Sequence, residues 1–120
     1  MKKPRFKSYT RPNGHDEFLE FFISLSEKDK GKLAAQIDKI QSHGLEIAIR
    51  LEWVKKLDKN LYEIRSKVSS NIQRAVYFHV EDNQYMITHG FTKKTQKTPK
   101  REIEHAKVIR AEYWHEKEGK

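Results

Sequence analysis

Apolar residues in the first third of the chain recur at helical intervals. A helix is predicted over residues 16–25, because its apolar side chains lie three and four positions apart and form one core-facing stripe. These side chains are Phe18, Phe21, Phe22 and Leu25. Ser26 and Asp29 fit a capping box that opens a second helix, and Gly44 stands where a C-terminal cap belongs. The short link between the two helices predicts a helical hairpin.

After residue 60 the pattern changes to that of β-strands. Runs rich in Val, Ile, Tyr and Phe lie between residues 61 and 93, with polar turns at residues 69–71 and 82–83. This pattern is typical of an antiparallel meander, because Ser, Asn and Asp side chains bond to nearby backbone in turns. Residues 5–9 are expected to form an edge strand, whereas residues 45–60 follow neither period cleanly.

A last helix is predicted to begin at Thr98, a good N-cap, with Pro99 at its first position. Its buried face is expected to consist of Ile103, Ala106, Ile109 and Tyr113. The elements together predict one α+β domain over residues 1–120. In it, an N-terminal helical hairpin packs on a twisted antiparallel sheet in two layers, and a C-terminal helix follows.

The predicted strand register brings charged residues onto one face of the sheet. Symmetric turns place Arg65 opposite Arg74, Arg74 opposite Phe91, and Val76 opposite His89. Because side chains alternate between faces, one face carries seven residues. These are Glu63, Arg65, Arg74, Val76, His89, Phe91 and Lys93. Two opposed arginines cost stability in a sheet, but their guanidinium groups are well suited to bind phosphate oxygens. We expect the helical hairpin to pack on the other face of the sheet. The alternative is that these arginines extend into solvent.

A formal net charge of +8 narrows the range of expected partners. Such a surplus in a chain of 120 residues suggests a polyanionic partner, with nucleic acid first and an acidic protein second. The chain has no cysteine, which excludes disulfides and thiolate metal sites. No apolar run has the length of a membrane helix, and we expect no signal peptide. These features predict a cytoplasmic protein without membrane contact.

Cations cluster at the predicted junction between the last strand and the last helix. Five basic residues fall within nine positions, namely Lys93, Lys94, Lys97, Lys100 and Arg101. Positive charge at a helix N-terminus opposes the helix dipole, so the cluster points to function. With Phe91 and Tyr77 interleaved, it suits RNA, because cations bind phosphates while rings stack on bases. The alternative is a solvated lysine-rich loop.

A second basic stretch, Lys55 and Lys56, follows Trp53 and is a candidate for RNA or ribosome binding. We interpret Trp53 as a core residue, and the alternative is a stacking platform for single-stranded RNA. His89 is a candidate acid or base, since its unperturbed pKa lies near neutral, although a hydrogen-bonded polar side chain is the simpler interpretation. Glu63 either accepts a proton or forms an ion pair with an arginine.

No two histidines have the spacing of a helical zinc site, and the chain has no nucleotide-binding motif. We therefore expect neither a metal nor a cofactor. The absence of G-x-S-x-G, a P-loop, G-x-G-x-x-G and a cysteine nucleophile also argues against hydrolases, nucleotide-driven enzymes and dehydrogenases of those types.

Three stretches of the meander resemble a known family. They are Leu61-Tyr-Glu-Ile-Arg65, Arg74-Ala-Val-Tyr-Phe78 and Gly90-Phe-Thr-Lys-Lys-Thr-Gln-Lys-Thr-Pro99. The chain is similar there to the RelE/ParE toxin superfamily, and most similar to its HigB-like, phage Gp49-like branch. By this resemblance, Arg65 and Arg74 match the strand arginines of the family. Lys93 and Lys94 match the basic pair that follows Gly-Phe in this branch.

The resemblance implies the toxin of a type II toxin–antitoxin system, with a RelE-like fold. Toxins of this kind cleave mRNA in the ribosomal A site without a metal, by attack of the ribose 2′-OH on the adjacent phosphorus. The implied partners are the ribosome, mRNA and a cognate antitoxin. The antitoxin is expected to be a helix-turn-helix protein, and the toxin–antitoxin complex is expected to bind operator DNA through it. The alternatives are a ParE-like inhibitor of DNA gyrase and a basic RNA-binding module without activity. If the protein cleaves mRNA, Arg74→Ala is expected to abolish toxicity and to cost rate rather than stability.

Overall fold

The computed structural model describes residues 3–119. In chain order the elements are β1 (Arg5–Ser8), α1 (Glu17–Ser24), α2 (Glu27–His43), α3 (Leu45–Arg50), β2 (Val54–Asp58), β3 (Leu61–Val68), β4 (Asn71–Glu81), β5 (Gln84–Lys93) and α4 (Lys100–Glu118). Within the described range, no helix has the length and apolar character needed to cross a membrane. The α+β prediction is confirmed.

The helical hairpin begins and ends where its caps predict. The Asp16 side chain accepts a hydrogen bond from the Leu19 amide (3.0 Å), and the Ser26 hydroxyl accepts one from the Asp29 amide (3.2 Å). Gly44, at φ 94°, ends α2 in a conformation that favours glycine. The chain then enters α3, a short helix that the irregular pattern of residues 45–60 did not predict.

The sheet has five strands in the order β1-β5-β4-β3-β2. The meander register is confirmed, because Arg65 pairs with Arg74, Arg74 with Phe91, and Val76 with His89. The predicted edge strand is also present, but β1 runs parallel to β5, so the sheet is mixed rather than antiparallel throughout. Parallel neighbours need a long connection, and here α1–α3 and β2–β4 all lie between these two strands in the chain.

Two bulges interrupt the β4–β5 ladder. Tyr77 pairs with Ile87 rather than Thr88, and the ladder shifts again between His79 and Glu81. Thr88 is therefore the extra residue on β5, and Val80 is the extra residue on β4. The two shifts have opposite sense and cancel. The register predicted from a symmetric turn at residues 82–83 is therefore correct at Arg74. Between the two bulges, the observed pairing differs from that predicted register by one residue.

The two faces of the sheet are covered by different helices. The hairpin packs on one face, where Ile64, Ala75, Tyr77 and Ile87 contribute to the core. As expected, this is the face away from the arginines. The α4 helix packs on the other face against Val76, Phe78 and Phe91, mainly through Ala106, Ile103, Tyr113 and Trp114. The domain therefore has three layers, not the predicted two, because the arginine face also carries enough apolar surface to bind a helix.

Gly90 on β5 is required by the packing of α1. A Cβ atom at this position would overlap the ring of Phe21 and would lie 2.9 Å from the carbonyl oxygen of Arg74. The glycine of the Gly-Phe string therefore lets an aromatic side chain of the hairpin lie directly on the strand. This close approach fixes α1 across the middle of the sheet.

The start of α4 differs from the prediction. The helix begins at Lys100, and Pro99 rather than Thr98 is its cap residue. The Thr98 hydroxyl instead donates to Glu63 Oε1 (2.5 Å) and is buried. The bond to the buried carboxylate directs the Thr98 hydroxyl into the sheet, and no side chain among the described residues caps the start of α4.

Candidate functional site

Glu63 lies at the centre of the charged face. Its Oε2 atom is 3.2 Å from Arg65 Nε and 3.4 Å from Arg74 Nε, and its Oε1 atom accepts from Thr98. Glu63 and Arg74 both have 0% of their surface exposed. The predicted ion pair between Glu63 and an arginine is confirmed, and it involves both arginines. One carboxylate thereby reduces the repulsion between two opposed cations.

Arg74 is closed off from solvent by the segment that joins β5 to α4. Its Nη2 atom donates to the carbonyl oxygens of Thr95 and Gln96, the latter at 2.9 Å, and its guanidinium lies 5.7 Å from the centre of the Phe91 ring. Burial lowers the pKa of Arg74, while Glu63 opposes this shift and Arg65 adds to it. A phosphate can reach Arg74 only if residues 94–97 move away.

Arg65 is the more open of the two arginines. Its Nη2 atom donates to the Gln96 carbonyl oxygen (2.6 Å), and its backbone amide donates to Trp53 O (2.9 Å). The pairing of β2 with β3 begins at Val54 and Ile64, so β3 continues past Arg65 beyond the paired part of β2. The guanidinium lines cavities of about 230 and 390 Å³ at this point.

These cavities share Glu52, Arg65 and Gln96, and we call them together the Arg65 groove. The other residues that line it are Gln36, Ile49, Val54, Lys55, Lys56, Ser66, Lys67 and Ile72. The structure thus brings the predicted binding residues Lys55 and Lys56 next to the predicted catalytic residue Arg65. Sequence reasoning missed Lys67 and Glu52. Lys67 follows Arg65 by two positions on a strand, so side-chain alternation was the signal that could have found it.

The cations of residues 93–101 occupy the segment above Arg74. Lys94, Lys97, Lys100 and Arg101 are exposed, and Lys93 is half-buried opposite Ile72. Among the described residues of this segment, only Gln96 lines the Arg65 groove. The segment therefore offers positive charge beside the groove rather than inside it.

His89 lies beneath α4, with 4% of its surface exposed. Its Nε2 atom is 3.0 Å from Glu102 Oε1, its Nδ1 atom is 3.0 Å from Thr88 Oγ1, and the His105 ring lies 4.8 Å away. Burial lowers the pKa of His89 and favours the neutral imidazole, while Glu102 opposes this shift. The lining of the Arg65 groove, as far as residues 3–119 describe it, does not include this histidine.

Three aromatic residues differ in how far they fit their predicted roles. Tyr77 lies on the hairpin face, where it contacts the rings of Phe6, Tyr62 and Tyr85, and Phe91 is buried beneath α4. Phe91 does lie beside the Arg74 guanidinium, as predicted, and Tyr77 does not lie on the basic face. Both rings are enclosed by apolar layers, so the prediction that they are available to stack on bases is wrong. Trp53 packs against the hairpin core with Lys39 Nζ 4.6 Å from its ring centre, which confirms the core interpretation.

The charged lining of the groove has the chemistry that phosphate binding requires. Arg65 supplies a guanidinium fork at the shared wall, and Lys55, Lys56 and Lys67 supply point charges around it. Within residues 3–119, no three histidine, cysteine, aspartate or glutamate side chains are grouped as metal ligands. Binding of a polyanion here would depend on side-chain cations.

Comparison with known proteins identifies the family. The family model described as phage-derived protein Gp49-like (DUF891) matches residues 20–110, which include the end of α1, all of α2, the meander and the first half of α4. No curated protein matches the chain. The match covers every residue of the Arg65 groove. The chain belongs to the Gp49-like family of phage-derived proteins, which is part of the RelE/HigB-like toxin group and is associated with toxins of toxin–antitoxin systems.

Proposed function

We propose that this protein is the toxin of a type II toxin–antitoxin pair and cleaves mRNA on the ribosome without a metal. The observation that carries the proposal is the Arg65 groove, an open basic cavity built around an arginine that a buried carboxylate holds in place. Family membership supports the toxin assignment. The net charge of +8 supports a nucleic-acid ligand.

The proposed reaction is an internal transfer at phosphorus. The ribose 2′-oxygen forms a bond to the adjacent phosphorus and loses its proton to a base. The bond to the 5′-oxygen breaks, and that oxygen takes a proton from an acid. The products are a 2′,3′-cyclic phosphate and a 5′-hydroxyl. Negative charge grows on the non-bridging oxygens, and preorganised cations that bind it lower the barrier most.

Arg65 is the proposed direct contact to this phosphate, because it lines both cavities and is the less buried of the two arginines. Arg74 is proposed to act from behind, where it and Glu63 fix the position of Arg65 and of residues 94–97. Lys93 and Lys94 flank the segment and are candidates for stabilising the same charge. His89 is a candidate for proton transfer only in a conformation in which α4 has moved, since it is buried beneath that helix.

Binding of the RNA is proposed to extend from the groove in two directions. Lys55 and Lys56 are exposed on β2, and Lys97, Lys100 and Arg101 are exposed near the start of α4. Together they form a basic rim on either side of Arg65 that would contact the mRNA backbone or ribosomal RNA. These contacts would supply affinity that depends on salt but not on sequence.

A toxin of this group has an antitoxin partner. We propose that the antitoxin is a helix-turn-helix protein and that the complex binds operator DNA through it. Copurification of the toxin with the product of a neighbouring gene, followed by footprinting of the complex on its promoter, tests this part separately. Operator binding by the toxin alone would contradict it.

The decisive experiment is primer extension on mRNA after brief expression of the protein. The wild type should arrest translation and leave discrete cuts within translated reading frames. Arg65→Ala should lower the rate by on the order of 10²–10³, the usual cost of removing one preorganised donor. Arg5→Ala, an equal loss of charge on the opposite edge strand, should cleave normally. DNA damage without mRNA cleavage would indicate a gyrase inhibitor, and neither effect would indicate a binding module; either result overturns the proposal.

A further inference from the structure

The smaller cavity of the Arg65 groove is lined by polar groups that do not suit a phosphate. Glu52, Gln36, Ser66 and Gln96 surround it together with Arg65. The Gln36 side chain donates through Nε2 to the carbonyl oxygen of Arg65 (2.8 Å). The Oε1 atom of Gln36 remains as an acceptor for a ligand. A cavity that carries several acceptors beside a cationic wall matches the edge of a nucleobase better than it matches an anion.

Glu52 is the unusual residue of this lining. It follows Leu51, the C-cap residue of α3, and lies in the left-handed region, at φ 63°, where glycine is favoured. None of the ion pairs among residues 3–119 includes it, although Arg65 and Lys67 line the same cavity. A carboxylate in a groove for RNA repels phosphates. Without an ion-pair partner among the described residues, its carboxylate is available to the hydrogen-bond donors of a ligand other than a phosphate.

Ser66 provides an independent observation. Its side chain is 97% removed from solvent, since only 3% of the residue is exposed, and its Oγ atom has no hydrogen-bond partner among the described residues. Buried hydroxyls are almost always satisfied in folded proteins. Ser66 lines the cavity, but its Oγ atom is itself sealed from solvent, so the unsatisfied hydroxyl, which can donate or accept, marks a polar wall of the cavity rather than a contact already open to a ligand.

We infer that this cavity binds a guanine base of the RNA, and that Glu52 is the residue that selects it. Guanine presents two adjacent N–H donors, N1–H and the N2 amino group, and a carboxylate accepts from both. The other three bases offer no such pair of neighbouring donors on one edge, and adenine would set its N1 acceptor against the carboxylate. Guanine O6 lies next to N1–H on the same edge and is an acceptor for Arg65 or Lys67, which line the same cavity as Glu52. The inference rests on the proposed function for its biological setting, but its chemistry needs only an RNA ligand.

The first test is to map cut sites by sequencing RNA 5′ ends after expression of the wild type and two variants. Wild-type cuts should carry guanine at one fixed position near the scissile bond, preferred over other bases by roughly 5- to 150-fold, the range that one good bidentate base contact provides. Glu52→Gln should still cut, with this preference reduced to about fivefold or less. Glu46→Gln, the same change on the exposed surface of α3, should keep the wild-type preference. An unchanged preference in Glu52→Gln would overturn the inference.

A second test separates this inference from the proposed function. Purified protein is titrated with short oligoribonucleotides that differ at one base, and binding is followed by NMR shifts of the amides of residues 52, 66 and 67. The guanine oligonucleotide should bind at least about fivefold more tightly than its adenine counterpart, and Glu52→Gln should remove the difference. Equal affinities would refute base selection even if the protein cleaves mRNA. Selective binding by a protein that cleaves nothing would refute the proposed function and leave this inference standing.

Discussion

Replacing Arg74 with methionine should destabilise the fold, because the substitution leaves Glu63 as a buried charge. Removal of one partner from a buried ion pair typically costs about 3–5 kcal/mol. Glu63 keeps Arg65 Nε at 3.2 Å and the Thr98 hydroxyl at 2.5 Å, so we expect the lower half of that range. The hydrogen bonds from Arg74 to the carbonyl oxygens of Thr95 and Gln96 are lost as well.

Urea unfolding of the purified protein measures this change. With a slope of about 1.5–2 kcal/mol per molar, a loss of about 3–4 kcal/mol lowers the midpoint by about 2 M. The double variant Glu63→Gln/Arg74→Met removes both charges and should recover most of the loss, since a neutral replacement of a buried pair is often well tolerated. Arg65→Met is the matched control, and it should cost at most about 2 kcal/mol because this side chain is partly exposed.

A midpoint for Arg74→Met within about 0.5 M of the wild type would refute this reasoning, as would a double variant less stable than the single one. The strand register alone predicts the opposite sign, because the substitution removes a like-charge neighbour of Arg65. The expectation that loss of Arg74 costs only rate therefore has to be replaced. Any toxicity test of an Arg74 variant needs the unfolding curve beside it.

Further predictions concern packing, pH and binding. Gly90→Ala should destabilise by about 1–3 kcal/mol in urea unfolding because the Phe21 ring lies on this residue, whereas Gly31→Ala, in open space on α2, should stabilise by about 0.5–1 kcal/mol. Burial lowers the pKa of His89, so the neutral imidazole contributes stability above about pH 6.5, and this contribution is lost as the pH falls. On acidification, the melting temperature of the wild type should therefore fall further than that of His89→Gln. Lys97→Ala should weaken RNA binding modestly and reduce the slope of log affinity against log salt by about 0.7, and an unchanged slope would place this lysine outside the interface.

Periodicity predicted the hairpin, the meander and the arginine pair because each depends on residues close together in sequence. The caps at Asp16 and Ser26 act within one turn, and the opposition of Arg65 and Arg74 needs only a short turn. The register at Phe91 was also correct, but only because two opposite bulges cancel. The one-residue shift between the bulges has no signal in the sequence pattern that could have predicted it.

The environment of the arginines could not be predicted in the same way. Residues 94–99 have no period, and their position depends on a hydrogen bond between Thr98 and Glu63, 35 positions apart. The groove depends on residues 45–60, where the pattern is ambiguous, so Glu52 was not recognised as part of the site. Long-range polar contacts of this type decide whether a charged strand residue is buried or exposed, and local spacing does not encode them.

The paired bulges at Val80 and Thr88 make the outer part of the β4–β5 hairpin a separable module. One bulge shifts the pairing register by one residue and the other shifts it back. Residues between the bulges can therefore be replaced without changing which side chains share a face with Arg74. Deletion of either extra residue alone should give a regular ladder at that point and leave the flanking side chains on their present faces, whereas deletion of one paired residue between the bulges would turn one strand over relative to its neighbour and direct apolar side chains outward. Length changes between the bulges should therefore be tolerated in pairs, one on each strand, and a laboratory graft of a foreign hairpin tip should succeed when it keeps the pairing on either side of it in register.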